Sequence, residues 1–186
     1  MVILPKIGRP LRDEAPAASQ IGLKVTPAIV TSSPMSAASR APGLERLNRD
    51  VLSHHGVTHI ILFMGTNDIR REAPAAQVIE AMQEIIKRVR ARGMKIIGVT
   101  IIPRHNRPPA ENNTGWNAAK TQVRNKVNRW MRTSKPFDAL IDLDAAVRDP
   151  DSADLIYEPF NCGDGIHPSP RGYFEMGRPV PLDLFR

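Results

Sequence analysis

The chain has 186 residues, a single cysteine, 41% hydrophobic residues and a formal charge of +7. That is one domain's worth of chain with enough apolar residues for a core. It excludes a disulfide framework and a multi-cysteine zinc site, and no apolar run approaches the roughly 20 residues that span a bilayer.

The opening MVILPKIGRP has a short apolar run cut by Pro5 and no basic stretch ahead of it, which is not the pattern of a secretory signal. Residues 1–41 read as an irregular, atypical N-terminal segment. Pro5, Pro10, Pro16, Pro27 and Pro34 interrupt Ala- and Ser-rich sequence, and Pro27 demotes the strand-like run 25–30 to an edge. From residue 42 the patterns become regular, and a folded domain is expected over 42–186.

Residues 42–54 start with Pro42, place Leu44, Leu47, Val51 and Leu52 on one helix face, and stop before Gly56. VTHIILFM, 57–64, is a short apolar run between turn signals, the pattern of a buried strand. Residues 74–92 read as a helix with Pro74 in its first turn. Val78, Ile79, Met82, Ile85, Ile86 and Val89 form its apolar stripe, and Gly93 stops it. MKIIGVTIIP, 94–103, is a second buried strand, followed by a polar loop with Pro108, Pro109, Asn112 and Asn113.

A third helix is expected over 116–133, with Trp116, Ala119, Val123, Val127, Trp130 and Met131 facing the core. Lys120, Arg124, Lys126, Arg129, Arg132 and Lys135 spread around the rest of its circumference. That predicts a solvated helix face rather than a strip for nucleic acid. FDALIDLD, 137–144, is a third strand, and a last short helix begins near Pro170. Helices alternating with apolar strands imply an α/β fold: a parallel sheet with right-handed crossovers, covered on both faces. Chemistry in such sheets sits past the carboxyl ends of the strands.

Two segments fall where that chemistry belongs. Gly65-Thr66-Asn67-Asp68 follows the first strand, and Asp164-Gly165-Ile166-His167-Pro168 lies near the C-terminus. An Asn amide at a strand end can donate to a developing oxyanion, and a carboxylate three residues before a histidine can fix its tautomer. Each also has a plainer reading, a turn or a helix N-cap. The five histidines are scattered along the chain, and no structural metal is expected.

With these blocks in this order, the chain from about Leu44 to Phe185 resembles the SGNH, or GDSL-type, hydrolase family of esterases and lipases. The stretches that carry the resemblance are LERLNRDVLSHHGVTHIILFMGTNDI, VNRWMRTSKPFDALIDLDAAVRDP and GDGIHPSPRGY. Within the family it looks closest to bacterial arylesterases and acetylxylan esterases. The resemblance implies a flavodoxin-like three-layer α/β/α sandwich and hydrolysis of small carboxylic esters, short acyl esters by default, without a cofactor. It makes Asp164 and His167 catalytic triad members, Asn67 an oxyanion donor and Gly65 the residue that shapes the oxyanion loop, with Asp68 holding that loop. The loop 103–117 would line the cleft, with Trp116 packing into its helix stripe. Such relatives are often exported.

The departure is the nucleophile. The family carries its serine in a Gly-Asp-Ser block after a first strand; here Gly163-Asp164 is followed by Gly165, and no Gly-x-Ser-x-Gly elbow occurs. The Asn-x-Gly block expected before Leu44 reads SPMSAASRAPG. Ser19, Ser32, Ser33, Ser36, Ser39 and Ser53 precede GTND, and none follows a convincing strand. The first strand of the sheet has no counterpart either. Three accounts fit: an N-terminus that is truncated or read in a shifted frame, a degenerate homologue, or a new nucleophile. Two other functions stay open, a non-catalytic remnant that binds acyl or carbohydrate ligands and a basic nucleic-acid-binding module.

Overall fold

The structure, a computed structural model, describes residues 43–110 and 114–185. The readings of 1–41, of Pro42 and of Asn112 and Asn113 fall outside those residues. Three strands, β1 (His59–Leu62), β2 (Lys95–Val99) and β3 (Ala139–Ile141), form one parallel sheet in the order β1-β2-β3. The helices are α1 (Gly43–Leu47, continued by a wide π turn Asn48–Leu52), α2 (Thr66–Arg70), α3 (Ala75–Arg90), α4 (Ala118–Thr133), α5 (Leu143–Val147) and α6 (Pro170–Gly177).

The strands alternate between two cores, which is what makes three layers. Ile60, Leu62 and Ile96 point into a cluster with Leu47 and Val51, with Val78, Met82 and Val89 of α3, and with Val127 and Met131 of α4. Ile61, Ile97 and Val99 point the other way, against Leu143 and Val147 of α5, Ile156 and Phe185. Consecutive parallel strands require crossovers, and α3 and α4 supply them. Gly98 leaves room for this packing: a Cβ there would stand 2.3 Å from Phe137 Cδ2.

The strands are shorter than their apolar runs. β2 leaves the ladder after Val99 although the apolar sequence runs on to Pro103. The reason is Asn128. Its amide accepts from Ile101 N and donates to Ile101 O, both at 2.8 Å, so a side chain takes the place of a strand neighbour.

Helix α4 corrects two expectations. Of its apolar stripe, Val127 and Met131 are buried, Val123 and Trp130 half-buried and Ala119 exposed. The core side also takes Lys120, Thr121, Arg124 and Asn128, all buried. The basic residues therefore do not form one solvated face. Lys126, Arg129 and Lys135 are exposed, whereas Arg124 is 1% exposed and Lys120 donates to the carbonyls of Thr114 and Gly115. Both are buried because the fold brings them acceptors.

Candidate active site

The cleft lies past the carboxyl ends of β1 and β2 and has a volume of about 360 Å³. Three segments wall it. The end of β1 and helix α2 contribute Phe63, Met64, Thr66, Asn67 and Arg70; the continuation of β2 contributes Ile101, Ile102 and Arg104; the C-terminal segment contributes Ile166, His167, Pro168, Tyr173 and Met176. Asn67 and His167, 100 positions apart in sequence, thus face one space.

Gly65 makes the turn that aims Asn67. It caps α2 with φ +107°, a left-handed conformation that glycine adopts without strain, and a Cβ there would stand 2.8 Å from Ile101 Cδ1. The turn starts a helix at Thr66, so Asn67 is half-buried in its first turn while Asp68, 1% exposed, turns inward. Gly65 itself supplies geometry and no lining surface.

The second block is a closed loop. Asp164 Oδ1 accepts from the amides of Ile166 (2.7 Å) and His167 (2.8 Å), and Asp164 Oδ2 pairs with His167 Nδ1 at 2.6 Å. Partial burial works to raise the Asp164 pKa. The hydrogen bonds from the His167 ring, from those two amides and from Cys162 outweigh it and hold the carboxyl well below the usual carboxylate range. An ionised carboxylate only accepts, so the Nδ1 of His167 that faces it carries a proton.

The strand-end segment clamps this loop in place. His105 N donates to Gly165 O at 2.8 Å, and Asn161 Oδ1 accepts from the amides of Gly163 and Gly165. Gly165 lies so close that a Cβ would come within 2.6 Å of His105 Cβ. The side-chain ligand atoms of Cys162, Asp164 and His167 lie within 4.8 Å of one another, the one trio among the described residues that could hold a metal ion. Its carboxylate and Nδ1 are already engaged with each other.

Trp116 is buried, donates its indole N–H to Thr121 Oγ1 at 2.9 Å and does not line the cleft, as a packing residue should. The cleft residues that patterns missed are Arg70, Arg104 and Tyr173. Arg104 directly follows the Pro103 turn at the end of β2, where strand-end chemistry is expected, and that position was its signal. Among the described residues no serine lines the cleft. Ser53 sits ahead of β1, at the far end of the sheet, and donates to Arg49 O.

Fold and cleft together describe a hydrolase of the α/β/α type, and sequence comparison agrees. The profile of the GDSL-like lipase/acylhydrolase family matches residues 16–173. The chain belongs to that family. The match begins upstream of Leu44, so it takes in Ser19, Ser32, Ser33, Ser36 and Ser39. No curated protein matches the sequence significantly.

Solved structures share the fold. A Streptococcus pneumonia protein superposes with a TM-score of 0.64 at 17% identity, covering 88% of this chain and 83% of its own. A carbohydrate acetylesterase from Sinorhizobium meliloti gives 0.60 at 18% identity, with 81% and 69% covered. The aryl esterase of M. smegmatis gives 0.53 at 16% identity, with 75% and 65% covered.

Proposed function

We propose that this chain hydrolyses small carboxylic esters by acyl transfer, with His167 as general base, Asp164 as its orienting partner and Asn67 as an oxyanion donor. The observation that carries the reading is the 2.6 Å Asp164–His167 pair, held on a clamped loop and facing the same cleft as Asn67. Nε2 of His167 takes the proton of the attacking hydroxyl. The tetrahedral oxyanion accepts from the Asn67 amide, and the proton passes to the leaving alcohol. Water then repeats the sequence on the acyl-enzyme. These steps use side chains and water only.

The described cleft wall offers hydroxyls on Thr66 and Tyr173 but no serine, so a serine nucleophile would come from outside it. Ser19, Ser32, Ser33, Ser36 and Ser39 are the serines left for it, all inside the range that matches the family. The test is a fluorophosphonate adduct located by peptide mapping, alongside 4-nitrophenyl acetate turnover. One labelled serine, with label and turnover both lost in His167→Ala, is the expected result. The turnover lost should be on the order of 10⁴-fold, the usual cost of removing a triad member. Folded protein that takes no label and turns over no ester would instead be a non-catalytic binding remnant, which the missing Gly-Asp-Ser block favours.

A further inference from the structure

Arg104 is 6% exposed, yet it lines the cleft. Its Nη1 reaches Thr66 Oγ1 at a long 3.4 Å, its guanidinium carbon lies 5.0 Å from the centre of the Trp116 ring, and its Nε is buried without a hydrogen-bond partner. Arg70 lines the same cleft one helical turn beyond Asn67, and its Nε too is buried without a partner. Neither arginine forms an ion pair with a described carboxylate. Asp164 acts on Arg104 only through its charge, and its oxygens are taken by His167 and two amides.

This is a costly arrangement. Burial pushes both guanidiniums below the ordinary arginine value. The Arg70 charge pushes Arg104 further down while Asp164 opposes, and Arg71 adds to the effect on Arg70. Two like charges with orphaned donors, converging on one cleft, are poorly satisfied by the fold alone. A bound oxyanion would satisfy them, because guanidinium donors match the oxygens of a carboxylate or phosphate.

We propose that Arg104 and Arg70 form an anion subsite in the ester cleft, for a carboxylate or phosphate carried by the substrate beside its scissile ester. The substrate class is then an anionic monoester or acyl-acid ester rather than a neutral one. The ester half of this statement rests on the reading given above, whereas the anion half rests on the arginines. The competing role for the pair is to stabilise the tetrahedral oxyanion itself.

The test has two arms. In the first, inorganic phosphate and succinate are titrated into wild type, Arg104→Met and Arg70→Gln at constant ionic strength, followed by calorimetry. Wild type should bind at least one of them, at one site, and each variant should bind about tenfold or more weakly, the scale of a charge-assisted hydrogen bond. The two anions distinguish carboxylate from phosphate. Absence of binding to wild type overturns the subsite, as does binding that both variants retain.

In the second arm the 4-nitrophenyl monoesters of succinate and phosphonoacetate are compared with 4-nitrophenyl butyrate. The ratio of kcat/KM for anionic over neutral ester should fall about tenfold or more in each variant. An equal loss on both esters would assign the pair to the transition-state oxyanion and overturn the proposal. If no ester turns over, the hydrolase reading fails and the titration still decides the subsite. Should Arg104→Met not fold, the less buried Arg70→Gln decides both arms.

Discussion

Arg124 and Arg104 are buried to similar degrees, 1% and 6% exposed, and stand in different company. Arg124 Nη1 lies 3.4 Å from Asp144 Oδ1, and its Nη2 donates to Asp154 Oδ1 at 3.0 Å. Two turns further along α4, Arg132 joins Asp142 at 2.7 Å and Asp144 at 2.6 Å. Burial lowers the Arg124 pKa, but Asp144 and Asp154 both work against it, and the hydrogen bond with Asp142 holds Arg132 above the ordinary arginine value. Arg104 has a ring to stack on and a hydroxyl at the edge of reach. One group of cations is paired with carboxylates, although Arg124 Nη1 and Asp144 Oδ1 make no hydrogen bond. The other is left facing a cleft, and the difference separates a charge kept for stability from a charge kept for a ligand.

The sharpest way to break that comparison is to remove each arginine and measure unfolding in urea. Arg124→Met leaves Asp144, itself 4% exposed, with Arg132 as its remaining cation. Stripping one member from a buried ionic cluster costs about 3 kcal/mol. Arg104→Met removes a buried charge that has no carboxylate partner, and that relief offsets the lost stacking on Trp116. Its unfolding free energy should stay within about 1 kcal/mol of wild type. Equal losses at the two sites would erase the distinction, and with it the argument for a ligand.

A smaller effect is expected at Asn128, which tests the same logic with neutral groups. Its side chain holds both backbone groups of Ile101 at the point where the strand ladder ends. Asn128→Ala strands a buried N–H and a buried C=O, which costs about 2 kcal/mol. Because Ile101 lines the cleft, turnover should fall along with stability. A urea midpoint shift without a change in kcat/KM would show that the clamp serves the fold alone.

Asn128 and Arg124 also mark where sequence reading reached its limit. The apolar runs at 57–64, 94–103 and 137–144 each contain a strand, and the helices of 74–92 and 116–133 form within two residues of their expected ends. Periodicity sees those, because they depend on local order of apolar and polar residues. It scores Arg124 and Asn128 as outward-facing, since the groups that bury them lie far off in sequence. Their acceptors are tertiary: Asp144 and Asp154 lie 20 and 30 positions from Arg124, and Ile101 lies 27 from Asn128.

The site divides in the same way. Asp164 and His167 are three residues apart, so their pairing is legible as spacing, and Asn67 is legible as a polar residue at a strand end. Arg104 and Arg70 carry no such signature. Only the convergence of β1 and β2 on one cleft makes them neighbours of His167.

The smallest effect belongs to Asp164, whose carboxylate sits behind His167 and is bonded by its ring and two amides. The folded-state pKa of Asp164 is depressed, so its contribution to stability is present above the unfolded value, near 3.9, and is lost as pH falls through the folded value. Asp164→Asn keeps an acceptor of the same shape and removes the charge. It should lower the urea midpoint at neutral pH, and the gap from wild type should narrow only below about pH 4. With the Asp164 side chain 41% exposed, solvent screening keeps the gap to a fraction of a kcal/mol. A gap that stayed constant into strong acid would mean that shape rather than charge holds the loop. In that case the ionised Asp164 that fixes the His167 tautomer would have to be demonstrated by the ring's own proton resonances.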